Sequence, residues 1–67
     1  MQSKQHSGVT IAFRVGNAAF RFDDGTLDEI AVGAKIVEVG TKIANGARYG
    51  SIIDINGNKV GEFSVEE

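Results

Sequence analysis

Residues 26–46 read TLDEIAVGAKIVEVGTKIANG, and how this stretch folds decides the architecture of the whole chain. Its Val, Ile and Thr content favours a strand by propensity, and its two internal glycines, Gly33 and Gly40, disfavour a helix. Periodicity points the other way. Asp28, Ala31, Lys35, Glu38 and Lys42 recur at spacings of three and four, which gathers them into one narrow polar stripe on an α-helix. Glu38 and Lys42 stand in the favourable i, i+4 order. Thr26-Leu27-Asp28-Glu29 fits a capping box, in which a hydroxyl and a carboxylate each satisfy a free backbone N–H. Asn45-Gly46 suits a left-handed helix stop. The spacing therefore predicts one helix over residues 27–44.

Working outward, residues 9–15 alternate strictly, with Val9, Ile11, Phe13 and Val15 on one face and Thr10, Ala12 and Arg14 on the other. Gly16-Asn17 is a pair able to supply positive φ in a tight turn, and Ala18 to Phe22 alternates again. A two-residue turn sets Phe13 opposite Phe20 and Ile11 opposite Phe22, so the pattern predicts a first hairpin. Beyond the helix, Tyr49 to Ile55 and Lys59 to Val65 flank the turn Asn56-Gly57-Asn58 and predict a second hairpin. Its register is ambiguous, because Ile52 and Ile53 point to opposite faces, as do Val60 and Phe63; a bulge at Gly61 would reconcile them. The expected fold is α+β, a ββαββ two-layer sandwich with one helix on a four-stranded antiparallel sheet. In that sheet residues 18–22 form one edge, followed by 9–15, 49–55 and 59–65.

The chain has 67 residues, 42% apolar and 24% charged, which suits one small globular domain. Residues 1–7 are polar and read as a disordered tail, leaving residues 8–67 as the domain. A core this small is marginal, and comparable domains rely on disulfides, metal or oligomerisation. There is no Cys, and the only His, His6, lies in the tail, so disulfides and thiolate metal sites are excluded. Neither a membrane span nor a signal peptide is legible, and cytoplasmic residence is expected. The net charge of −2 gives no broad attraction to nucleic acid or anionic membrane.

Few residues offer chemistry. Asp54-Ile55-Asn56-Gly57-Asn58 resembles the start of a calcium loop, but its sixth and twelfth positions are Lys59 and Val65, where glycine and an acidic ligand are required. A hairpin turn with Asx hydrogen bonds is the better reading. Asp23 and Asp24 suit a turn beside the positive end of a helix. With one tail His and no triad, the parts for nucleophilic or metal catalysis are missing, so no enzyme, cofactor or metal is expected. Arg14 and Arg21 share the polar face of the first hairpin and could grip carboxylates or phosphates bidentately.

The helix is the most informative feature. Outside its polar stripe some two-thirds of its circumference is apolar or small, wider than the usual stripe of about 100°. Leu27, Ile30, Ala34 and Val37 form one flank; Val32, Ile36, Val39 and Ile43 form the other. One sheet cannot easily cover both. The Val32, Ile36, Val39 and Ile43 ridge is therefore expected to pair with a second copy in a homodimer. The functional expectation is a small non-enzymatic protein-interaction module, accessory or inhibitory in kind, that occupies a partner protein's surface. Very short, Cys-free, acidic proteins of this kind are frequent among phage and mobile-element products. The alternative is a nucleic-acid-binding module using Arg14 and Arg21, with Arg48 and Lys59 as additions.

Overall fold

A computed structural model describes residues 7–67; residues 1–6, including His6 and most of the expected tail, lie outside the described residues. The elements in order are strand β1 (Gly8–Phe13), a 3-10 turn (Ala18–Phe20), helix α1 (Glu29–Ala44), strand β2 (Tyr49–Ile53) and strand β3 (Lys59–Glu66). The three strands form one antiparallel sheet of order β1-β3-β2. The α+β character agrees with the sequence reading, but the four-stranded sheet and its strand order do not. The last strand, expected at an edge, is the central one.

The missing strand is explained by two long-range demands on residues 14–22. Asn17 is extended (φ −91°, ψ 173°) and not in a left-handed turn, and its amide donates to Asp54, 37 residues away. Phe20 then enters the core at 2% exposure from a 3-10 turn, with its N–H bonded to Asn17 O and not to β1. Its ring lies 5.5 Å from that of Phe13, tilted by 43°. The two phenylalanines meet as the pattern predicts, by packing and not by strand pairing. Phe22, expected on the same apolar face, is exposed. Arg14 N–H still donates to Val60 O at 2.8 Å, and beyond it the chain leaves the sheet.

α1 keeps its expected end and loses its expected start. Gly46 has φ +104°, and Ala47 N to Lys42 O and Gly46 N to Ile43 O, both 3.0 Å, complete a Schellman stop. At the other end Asp28 is the N-cap, accepting from Ala31 N at 3.1 Å. Thr26 does not serve; its hydroxyl and N–H both donate to Asp24. Leu27 is held in a bridge to Arg21 and Asp28 N–H donates to Phe20 O, so the chain stays extended until residue 28. The polar stripe forms as predicted: Glu38 bridges Lys35 at 3.0 Å and reaches Lys42 at 3.9 Å. Lys35 Nζ also donates to Ile53 O at 2.6 Å, tying the helix to the end of β2.

The bulge at Gly61 is present. Ile52 faces Gly61 and Ile53 faces Lys59, leaving Val60 as the extra residue. Val60 and Phe63 thereby both point inward, joining Phe20, Val39 and Ile52 in the core. Gly61 is also sterically obligatory: a Cβ there would lie 2.0 Å from Ala12 O and 2.5 Å from Phe13 Cα. At Gly50 a Cβ would lie 2.8 Å from the Phe63 ring, which therefore covers the edge glycine.

Candidate functional site

The sheet has one face packed under α1 and the Phe20 loop, and one face open. The register fixes which residues lie where, because directly opposed residues share a face. Ile11, Phe63 and Gly50 form one inward row; Phe13, Gly61 and Ile52 form the next. On the open face Thr10, Ser64 and Tyr49 form a row, followed by Ala12, Glu62 and Ser51. Its floor is thus built from small side chains, with Tyr49 standing 80% exposed at the β2 edge. A shallow depression runs over this face and reaches Arg14 and Lys59 at one end.

The electrostatics of the face are mixed. Lys59 Nζ donates to Glu62 Oε2 at 2.8 Å, and this hydrogen bond, with the lysine's charge, holds the Glu62 carboxyl below its ordinary range. Arg14 donates to Lys59 O at 3.2 Å, so its guanidinium borders the face while anchored to the backbone. Arg21 does not join it. Its Nε donates to Val15 O at 3.0 Å and its Nη1 to Gly25 O at 3.2 Å, which brace the loop that replaces the expected strand. With the first hairpin absent, Arg14 and Arg21 do not form a common hairpin face.

The Asp54 constellation is structural. Its Oδ1 accepts from Asn56 N at 2.9 Å and Asn58 N at 2.8 Å, and its Oδ2 from the Asn17 and Asn58 amides. These donors, the Asn58 N–H foremost, keep the carboxyl below the usual aspartate range. A carboxylate whose two oxygens both face N–H donors presents no free lone-pair direction to a cation. Asp24 is engaged similarly by Thr26, whose hydroxyl at 2.6 Å is the main cause of its lowered pKa. Among the described residues, no group of three or more His, Asp or Glu is placed to hold a metal ion. Nor is any helix among them long and apolar enough to cross a membrane.

The helix ridge expected to meet a second chain turns inward instead. Val39 is 2% exposed, and Val32 and Ile43 pack against the same core; only Ile36 remains about half exposed, at 47%. The sheet does cover one flank and leave the other, as argued from the width of the apolar surface, but the open one carries Ile30 and Val37. The sequence offered no rule for choosing between two flanks of similar hydrophobicity. What it missed on the sheet is Tyr49, and the signal was present: Tyr49, Ser51 and Ile53 alternate with Gly50 and Ile52. No protein-family model, curated protein or solved structure matches the chain.

Proposed function

We propose that this chain is a non-catalytic protein-interaction module of the cytoplasm that occupies a partner protein's surface with the open face of its sheet. The observation that carries the reading is the composition of that face: a floor of Thr10, Ala12, Ser51 and Ser64 beside a tyrosine that is 80% exposed. Small side chains allow close approach by a partner. Exposed tyrosine supplies a large, rigid contact surface, and tyrosines are enriched among the residues that dominate interface energetics. Arg14 and Lys59 at one end and Glu62 on the central strand add charges of both signs, which favours a specific protein surface over a uniform polyanion. Acting by occupancy alone is consistent with an accessory or inhibitory role of the phage or mobile-element kind.

A second reading is favoured by one feature. An open sheet face with an exposed aromatic at one end and Arg14 and Lys59 at the other also suits single-stranded nucleic acid, held by stacking and phosphate contacts. Glu62 on the central strand opposes it by placing a carboxylate in the middle of the face.

One experiment separates the two. Affinity capture from the native host should retain a protein with the wild-type chain and lose it with Tyr49→Ala, by about 30-fold or more for a hot-spot residue. Retention on a single-stranded nucleic-acid column that falls steeply with salt would instead favour the second reading. Unchanged capture by Tyr49→Ala would remove the sheet face from consideration.

A further inference from the structure

The outward side of α1 carries no charge over most of its length. Ile30 is 83% exposed and Val37 69%, and Gly33, Ala34, Gly40, Thr41 and Ala44 are exposed around them. Beyond Glu29 in the first turn, the helix's charged residues Lys35, Glu38 and Lys42 lie to one side, already bridged to one another. Ile30, Gly33, Val37, Gly40 and Ala44 recur at spacings of three and four, the repeat of a helix that packs along another helix.

Gly33 and Gly40 are unexplained within the chain itself. Glycine disfavours a helix interior, neither residue has positive φ, and a Cβ on either would meet nothing within 4 Å. No packing within the chain calls for the missing side chains, and close approach of a second backbone is what such positions permit. Beside them, Ile30 and Val37 leave apolar surface in water that a partner would remove.

We infer that the cover is a second copy of this chain, its α1 antiparallel to the first about a two-fold axis at Val37. The sequence of sizes matches itself and no charge opposes it. With the axis at residue 37, position 30 faces 44, 33 faces 41, and 34 faces 40. Ile30 then lies over Ala44, Gly33 over Thr41, and Ala34 over Gly40, so large meets small at each end and only Val37 meets its own kind. Glu29 faces Asn45, so no like charges are brought together along the seam. Ile36, at the margin of the intramolecular core, lies beside the seam and gains cover. The helix has 16 residues and is therefore about 24 Å long. A seam of that length is short of a standard interface, so the pair is a weak one whose population depends on chain concentration. The product is a four-layer sheet–helix–helix–sheet assembly with both open sheet faces outward. It is independent of the sheet-face proposal, since the two surfaces lie on opposite layers.

The test exploits the axis. Sedimentation velocity between about 1 and about 500 µM should show the wild-type chain moving from one to two chain masses, with little dependence on salt. Val37→Glu and Val37→Lys should each remain monomeric, with wild-type circular dichroism, because like charges meet at the axis. An equimolar mixture of the two should recover the dimer. A wild-type chain that stays monomeric throughout, either variant dimerising alone as the wild type does, or a mixture that stays monomeric would overturn the inference. Should a charge at position 37 unfold the chain, Gly33→Gln, a better helix former too bulky for the seam, must abolish dimerisation while raising the melting temperature. A dimer that survives it refutes the close approach.

Discussion

Gly61→Ala should destabilise the fold severely through one added methyl group. The Cβ would lie 2.0 Å from Ala12 O, 2.5 Å from Phe13 Cα and 2.6 Å from Phe13 Cβ. Non-bonded carbon contacts settle near roughly 3.5–4.0 Å, so β1 and β3 would have to separate locally by more than ~1 Å. All three clashing atoms belong to β1, two of them its backbone, so no flexible side chain can swing away. Overpacking of this kind costs about 1–3 kcal/mol. Stretching one or two adjacent ladder hydrogen bonds adds about 0.5–1.5 kcal/mol each. The sum, roughly 1.5–6 kcal/mol, is a large share of a total stability of roughly 3–10 kcal/mol for a chain this short. Urea unfolding followed by far-UV circular dichroism should show the midpoint falling by a third or more, or a chain already unfolded in buffer. A Gly61→Ala protein within about 0.5 kcal/mol of wild type would show that β3 does not lie against β1 at this distance.

Two further substitutions test other parts of the account. Gly33→Ala should stabilise the monomer by about 1 kcal/mol, since glycine is disfavoured in a helix interior and the added methyl meets nothing; dilute-solution melts that show destabilisation would mean the outward face is covered within the chain. The Asp54 carboxyl is held below its ordinary range by the Asn58 and Asn56 N–H groups and the Asn58 and Asn17 amides. A depressed folded-state pKa gives stability that is fully present above the unfolded value, about 3.9, and is lost as pH falls through the folded value. Thermal melts should therefore be flat from near neutral pH down to the aspartate range and fall below it. Asp54→Asn should lower the plateau and flatten part of that acid limb, while an unaltered acid limb would show that Asp54 does not contribute to it.

What the sequence made legible was whatever is decided locally. The polar stripe of α1, its Gly46 stop, the Asn56-Gly57-Asn58 turn and the bulge at Gly61 all rest on residues within a few positions of one another. The errors share the opposite cause. Gly16-Asn17 has the composition of a tight turn, but Asn17 spends its amide on Asp54, a partner invisible to any short window. Thr26 is a good cap by identity, yet the Leu27–Arg21 bridge and the bond from Asp28 N–H to Phe20 O keep the chain extended past it. Strand order is set by which strand can lie between two others. β3 qualifies because Gly61 lets β1 approach closely while the Phe63 ring covers Gly50 of β2. Both flanks of α1 are apolar, and only the position of the sheet determines that Val39 is core and Val37 surface. For the site, the small open-face residues were visible on the first strand as Thr10 and Ala12, but their neighbours from β2 and β3 could be assigned only once the register was known.

The sheet order and register carry the rest, because together they bring Tyr49, Ser51, Ser64 and Ala12 onto one open face. It is tested most directly by a nuclear Overhauser spectrum of the isotopically labelled protein. The account predicts backbone cross-strand contacts joining Phe13 to Gly61, Ile11 to Phe63 and Gly50 to Phe63. Backbone contacts pairing Ile11 with Phe22 as neighbouring strands, or β1 directly with β2, would contradict it.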